Sequence, residues 1–348
     1  MKIPKRFRVR RRVLNYILWV IFMCILFVNL QVNVLSGLST TLRRFVKVLE
    51  RCPSFPDTFE ENRQVVGSYS FNISETFRQK LNLDEKGIMS NLNNTPDTQI
   101  VFTSATSSVN FREIQGLIHN FDQKVTPMFS DLEFIIFDIG LKKSEARLIK
   151  KHCNCRLQKF PFKDYPEHLR TIQTNAWKPL LIQLLLKEYH IVIWMDASIR
   201  FHGTPLDRLI HRTVEHGIQV TEGGGSIAVR THSVTFKALG ETPCMFDRPE
   251  LQSGLISMYR TPYTLRNIML PWVSCALQYN CMDFDSALKT VTCLDGHQWS
   301  YSACHRFDQS VLGIILTRLF SRDIDSILFN LNDFAFNKRA TGPYGIIS

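Results

Sequence analysis

The chain opens on a basic stretch and then turns apolar. Between Arg12 and Arg43 no side chain is charged, and Val13 to Leu35 are mostly Val, Ile, Leu, Phe and Met, a run long enough to cross a bilayer as one helix. Asn15, Asn29, Gln31 and Asn33 fall at or near its two ends, where amides are tolerated, and Tyr16 and Trp19 suit an aromatic belt on the first side. A cleaved signal peptide would have a shorter apolar core, about 7–15 residues, and a small-x-small cleavage site. No such site is evident, so residues 13–35 read as an uncleaved anchor. Residues 36–97 mix Ser, Thr, Asn, Pro and charge without sustained periodicity; they read as a stem with room for short helices. After Pro96-Asp97 the pattern changes, and residues 98–348 suffice for one large domain with a substantial core.

In that domain Gln99 to Thr103 reads as a buried strand, followed by a polar Ser/Thr loop over residues 103–108 and a helix from Phe111 to Phe121. A second strand is expected at Phe134–Phe137. A helix follows from Ser144 to His152, with Leu148 and Ile149 on one side and lysines on the other. Pro179 to Tyr189 carries Leu180, Leu181, Ile182, Leu184, Leu185 and Leu186, a helix apolar almost all round that must be buried. It leads into Ile191-Val192-Ile193-Trp194-Met195, whose lack of alternation suits a central parallel strand covered on both faces. Alternating strands and helices predict an α/β fold. In such sheets ligands sit outside the carboxyl ends of the strands, and Asp196 follows the last of these strands immediately. Further on, Glu222-Gly223-Gly224-Gly225-Ser226 reads as a flexible turn.

Charge changes the picture less than its total suggests. The net charge of +11 invites a polyanion partner, but Lys2, Lys5, Arg6, Arg8, Arg10, Arg11 and Arg12 lie before the apolar run and Arg43, Arg44, Lys47 and Arg51 just after it. From Cys52 onward 31 basic side chains meet 30 acidic ones, which speaks against nucleic acid as a partner. The heavier basic flank, residues 1–12, belongs in the cytosol. The expected topology is single-pass type II in a Golgi or ER membrane, with the lipid bilayer met through residues 13–35 and the rest luminal. Eight of the nine cysteines lie outside the apolar run, an even number that suits disulfides, and no C-x-x-C spacing favours zinc. Asn72-Ile73-Ser74 and Asn93-Asn94-Thr95 are glycosylation sequons at Asn72 and Asn93.

Asp196 and Ser198, two residues apart, place two oxygens on one side of an extended turn. Such oxygens suit Mg²⁺ or Mn²⁺ bridging phosphates; the alternatives for Asp196 are a turn cap or a pair with Arg200. Lys178 precedes Pro179 at a helix start, where a cation and free backbone N–H groups form a diphosphate cradle, unless the lysine is simply solvated. No Gly-x-Gly-x-x-Gly and no Gly-Lys-Ser/Thr is present, so neither a dinucleotide fold nor a P-loop is indicated.

Tyr165-Pro166, Trp177-Lys178-Pro179-Leu180, the stretch Trp194 to Phe201 and Cys304-His305-Arg306-Phe307-Asp308-Gln309-Ser310 occur in this order. Over residues 98–348 they resemble a nematode-expanded family of type II membrane proteins, domain-of-unknown-function family 1647, and more broadly the GT-A class of Golgi glycosyltransferases. The resemblance implies a GT-A-like (Rossmann-like), mostly parallel sheet with helices on both faces, preceded by one transmembrane helix and a stem. It implies that Asp196 takes the place of the first acid of an Asp-x-Asp pair that binds Mn²⁺ or Mg²⁺ and the donor diphosphate. Ser198 replaces the second acid, which puts metal dependence in question. It further implies that Thr103 and Ser104 lie where the nucleotide rests, and that Gln252-Ser253-Gly254 borders the donor sugar; a turn entering a strand is the other reading of that segment. Asp308-Gln309 falls on the acceptor side, with Asp308 either a catalytic base or a helix N-cap. His305 is a metal ligand, an acid/base partner or an ordinary loop histidine.

The function expected on these grounds is transfer of a sugar from a nucleotide sugar to a hydroxyl of a glycan or glycoprotein in the secretory pathway. The rival is a luminal binding protein that kept the fold and lost turnover, a reading that Ser198 favours. A sulfotransferase is disfavoured because the first strand lacks a basic phosphate loop.

Overall fold

A computed structural model of the chain describes residues 19–23, 52–90, 100–285, 287–292 and 300–339. The chain divides into Met1–Pro53 and Ser54–Ser348. In the first unit residues 19–23 are helical and exposed. The rest of the expected anchor and the basic tail lie outside the described residues, among which no helix is long and apolar enough to cross a membrane.

In the second unit, six strands among the described residues form one sheet: β1 (Ile100–Thr106), β2 (Glu133–Asp138), β3 (Arg156–Lys159), β4 (Ile191–Met195), β6 (Ile218–Ser226) and β7 (Pro249–Tyr259), with β5 (Ile199–Phe201) and β8 (Ala335–Asn337) paired apart from it. The order is β3-β2-β1-β4-β7-β6. β1 to β4 are mutually parallel, β7 runs against β4, and β6 runs against β7, so β7 alone opposes the common direction. The expected central strand is therefore parallel to β1 on one side and antiparallel to β7 on the other.

The unbroken apolar run of β4 is explained by its two covered faces. Ile191, Ile193 and Met195 join one core with Phe102, Leu117 and Phe121, whereas Val192 and Trp194 join the opposite core with Leu180, Trp272 and Leu312. Ten helices of six residues or more supply these layers among the described residues: α1 (Phe59–Gly67), α2 (Glu75–Lys80), α3 (Glu85–Ser90), α4 (Phe111–Lys124), α5 (Lys143–His152), α6 (Lys178–Leu186), α7 (Asp207–His216), α8 (Ser233–Leu239), α9 (Leu270–Leu277) and α10 (Asp308–Leu319). α4, α5 and α7 cover one face, and α6, α8, α9 and α10 the other. α6 is buried as its composition requires, and each of its leucines in the core contributes about 1.5–3 kcal/mol.

Four expectations need correction. The folded unit begins at Ser54, inside the expected stem: Val66, Leu81, Leu83 and Ile88 from α1 to α3 are core residues. Tyr69 there donates to Glu241 (2.5 Å), which also accepts from Arg318 Nε at 2.9 Å. Helices this short show no sustained period in the sequence. Thr103 to Thr106 do not form a loop but continue β1, because each pairs with β2, from Thr103 with Ile135 to Thr106 with Asp138, and small or β-branched polar residues fit a pleat. Glu222 to Ser226 are strand, not turn; the pairing is irregular there, and Gly223 passes close to β7, where a Cβ on it would sit 2.6 Å from Glu250 Cγ. Gln252 to Gly254 lie within β7 rather than before it.

Cys153 pairs with Cys155 and Cys275 with Cys281, and Cys52, Cys244 and Cys304 are also disulfide-bonded. Asn72 is exposed, whereas Asn93 lies outside the described residues.

Candidate functional site

The connection from β1 through β2 to β3 moves outward in one direction, and the chain then returns past β1 to place β4 on its other side. Between β1 and β4 the order reverses, and the carboxyl ends of strands at such a point frame a binding crevice. A cleft of about 190 Å³ lies there, lined by Ala105 of β1, Ile139 after β2, Asn110 and Glu113 at the start of α4, Asn175, Trp177, Trp194, Asp196, Ala197, Ser198 and Arg339. Its wall is mainly polar, with carboxylates and amides converging. A larger cavity of about 570 Å³ at the opposite end of the sheet, beside Gly217 and Thr261, is lined by Phe59, Val214, Leu319 and Phe320. The chemistry selects the smaller one.

Asp196 is held from several directions. Its backbone N–H donates to Gly254 O (2.7 Å) and its carbonyl accepts from Ile199 (2.9 Å). Its Oδ1 accepts from Trp194 Nε1 (2.8 Å) and from Lys178 Nζ (3.2 Å). Its Oδ2 has no partner among the described residues, and the side chain is 41% exposed. One oxygen is thus pinned and the other offered to the cleft.

Behind it lies a buried charge cluster. Lys178, the first residue of α6, is 2% exposed; its Nζ lies 2.8 Å from Asp308 Oδ2 and donates to Ser253 O (3.2 Å) and Oγ (3.3 Å). Asp308, the first residue of α10, is also 2% exposed and accepts from Ser253 Oγ at 2.7 Å. Burial works against the Lys178 charge, but Asp196 and Asp308 together outweigh it and hold the ammonium above its ordinary value. Burial raises the Asp308 carboxyl, with Lys178 and Ser253 opposing. Both directions follow from two carboxylates sharing one ammonium away from water.

The structure thus brings together Lys178, Asp196, Ser198, Gly254 and Asp308 from the expected set, but redistributes their roles. Lys178 is not a solvent-facing cradle; it orients Asp196 from behind. Asp308 does not reach the cleft, so it cannot take a proton from an acceptor bound there. Thr103 and Ser104 are fully buried within β1, with hydroxyls that have no hydrogen-bond partner among the described residues, and of β1 Ala105 lines the cleft. Gln252 donates to Glu222 O (3.1 Å), across the β6–β7 pair.

His305 is fully buried, away from these groups. Its Nδ1 accepts from the His232 N–H (3.3 Å) and its Nε2 lies 3.1 Å from Met282 O, which fixes the neutral imidazole. Burial lowers its pKa to about 3. Between that value and the ordinary histidine range the unfolded chain binds a proton that the folded chain refuses, so stability falls as pH falls. From pH 6.5 to 5 the expected loss approaches roughly 1.4 kcal/mol per pH unit. Unfolding free energies measured across this range should flatten in His305→Gln; an unchanged slope would refute the assignment.

Two residues already named in the sequence take roles that only the fold shows. Arg200, 4% exposed, does not pair with Asp196; its Nη1 donates to Ala197 O (2.7 Å) and Ile199 O (2.6 Å), and its Nη2 to Glu113 O (3.0 Å). It ties the loop after Asp196 to the helix bearing Glu113, the two walls of the cleft. A Cβ on Gly116 would collide with Nη2 of Arg200, and three carbonyls prevent the guanidinium from yielding. Gly116→Ala is expected to cost about 1–3 kcal/mol, read as a lower melting temperature; unchanged stability would show that Arg200 is free to move. Ser253 was inside a noted motif, but only the fold shows that its hydroxyl links Lys178 to Asp308.

Among the described residues no group of three or more His, Cys, Asp and Glu could hold a metal ion. The free Oδ2 of Asp196, with Ser198 in the same cleft, nevertheless fits a hard divalent cation that completes its shell with phosphate oxygens and water.

Residues 52–183 match the family described as "Protein of unknown function (DUF1647)"; Lys178 lies inside this match, and Asp196, Ser253 and Asp308 beyond it. No curated protein matches the chain in sequence. The fold is similar to solved glycosyltransferase structures at low identity. The mannosyltransferase Ktr4p from S. cerevisiae shares 9% identity over 83% of this chain and 84% of that one, with a TM-score of 0.43. Core-mannan synthase A from Aspergillus fumigatus, solved in a Mn/GDP form, shares 11% over 70% and 76%, with a TM-score of 0.40. For the bifunctional glycosyltransferase WbbM the values are 12%, 66% and 38%, with a TM-score of 0.38, so the chain spans well under half of that protein.

Proposed function

We propose that the chain is a glycosyltransferase that moves a sugar from a nucleotide-sugar donor to a hydroxyl of a glycan or glycoprotein, as a type II protein of the Golgi or ER membrane with the folded unit luminal. The observation that carries this reading is the geometry of Asp196. Its carboxylate stands at the carboxyl end of β4 at the sheet's reversal point, with one oxygen pinned by Trp194 and Lys178 and the other open to a polar cleft. Carboxylates and amides on such a wall accept and donate hydrogen bonds to the hydroxyls of a sugar, and a fixed carboxylate does so without reorganising as charge shifts. Mg²⁺ or Mn²⁺, held by Asp196 Oδ2 and Ser198 together with the donor, would supply counter-charge to the departing diphosphate. With both oxygens of Asp196 engaged in this way, Glu113 is the carboxylate in the cleft wall that remains to take the acceptor proton if the reaction inverts.

The direct test is release of nucleoside diphosphate by the full-length protein from a panel of nucleotide sugars, with Mg²⁺ or Mn²⁺ and an oligosaccharide acceptor. The second reading, a binding protein without turnover, draws on Ser198, since the cleft then presents one strong cation ligand where a pair would be expected. Nucleotide binding without release from any donor would favour it over transfer.

A further inference from the structure

The anion partner suggested by sequence, Lys178, is committed to two carboxylates behind the cleft wall. The charged side chains that line the cleft are Glu113, Asp196 and Arg339. A diphosphate entering beside two carboxylates needs positive charge from the protein as well as from any cation it carries. Arg339 is exposed and has no hydrogen bond or ion pair among the described residues, so its donors are open. We infer that Arg339 clamps the diphosphate of the donor from the wall of the cleft.

Its position follows from β8. That strand pairs with β5 in the register Ile199–Asn337, Arg200–Phe336 and Phe201–Ala335. The pairing is extended by Lys338 N–H donating to Ser198 O (2.8 Å) and by Ser198 Oγ donating to Asn337 Oδ1 (3.4 Å). The backbone next to Arg339 is thus bonded to the residue two places beyond Asp196, which fixes the base of the arginine against the carboxylate. A guanidinium at that point presents a planar fork to two phosphate oxygens, a geometry an ammonium cannot reproduce. The same strand that completes the small β5–β8 sheet therefore delivers the cation.

This inference rests on the donor class proposed above, and the experiment separates the two. Binding of UDP, GDP, uridine and guanosine to the full-length protein is measured with Mg²⁺ for wild type, Arg339→Ala and Arg339→Lys. Loss of a charge-assisted contact predicts roughly 10- to 100-fold weaker diphosphate binding in Arg339→Ala, unchanged nucleoside binding, and partial recovery in Arg339→Lys. Diphosphate affinity equal to wild type in Arg339→Ala, or an equal loss for the nucleosides, overturns the clamp and leaves the donor reading standing. Failure of the wild type to bind either diphosphate overturns both.

Discussion

Asp196→Asn is expected to lower sugar transfer by about 10²–10³-fold, the usual cost of removing one preorganised electrostatic group from an active site, while the protein remains folded. The amide keeps the shape of the carboxylate, and its oxygen can still accept from Trp194 Nε1. The charge offered to the cleft is lost. The change also leaves Lys178 with Asp308 as its one carboxylate neighbour of the two it has now, so the buried ammonium loses part of what offsets its burial and a modest drop in stability accompanies the loss of charge. The measurement is initial transfer rate for wild type and variant at matched melting temperature. Rates within a few-fold of each other would remove Asp196 from the centre of the site, and with it the argument for transfer.

The largest effect on stability is expected at the opposite side of the same cluster. Lys178→Met removes the ammonium and leaves Asp308 buried with the Ser253 hydroxyl as its side-chain donor among the described residues. Breaking a buried pair from one side typically costs about 3–5 kcal/mol, which for a domain of this size lowers the melting temperature on the order of 10 °C. The pH dependence has a definite sign. Without Lys178 the Ser253 hydrogen bond is left to oppose the upward push of burial on Asp308, so the folded variant keeps a proton that the unfolded chain has released. A carboxyl raised in the folded state makes stability greatest below the ordinary carboxylate range and reduces it as pH rises toward the folded value. Lys178→Met should therefore regain ground relative to wild type in acid, and adding Asp308→Asn should restore part of the loss at neutral pH. A Lys178→Met protein as stable as wild type at pH 7 would show that the ammonium is not needed there. Transfer should fall in the single variant too, because Asp196 loses one of the two donors that hold its Oδ1.

Much of this arrangement was legible in the residues. The all-round apolar stretch before Tyr189 and the unalternating Ile191 to Met195 could be buried only as a helix and a strand inside an α/β sheet, and both occur where expected. Asp196 at the strand's carboxyl end was equally legible, since its place depends on nothing beyond the strand's direction. What failed were segments whose local signal is weak or misleading. Polar Thr103 to Thr106 and the glycines of β6 look like loops, yet pairing with β2 and β7 makes them strand. Val66 and Ile88 sit in helices too short to show a period, Leu81 follows another, and their burial depends on the surface they meet.

The sequence by itself determined the fold class, the strand that ends in Asp196 and the near-neutral body behind a basic, apolar leader, because each is a property of contiguous residues. The tertiary structure alone decided which charges face solvent. Lys178 and Asp308, 2% exposed, neutralise one another behind the cleft instead of meeting a ligand; His305 is held neutral among backbone groups; and Arg339 arrives beside Ser198 through a strand paired across more than a hundred residues. The worth of a charge depends on its dielectric surroundings and its partners, and both are set by residues distant in the chain.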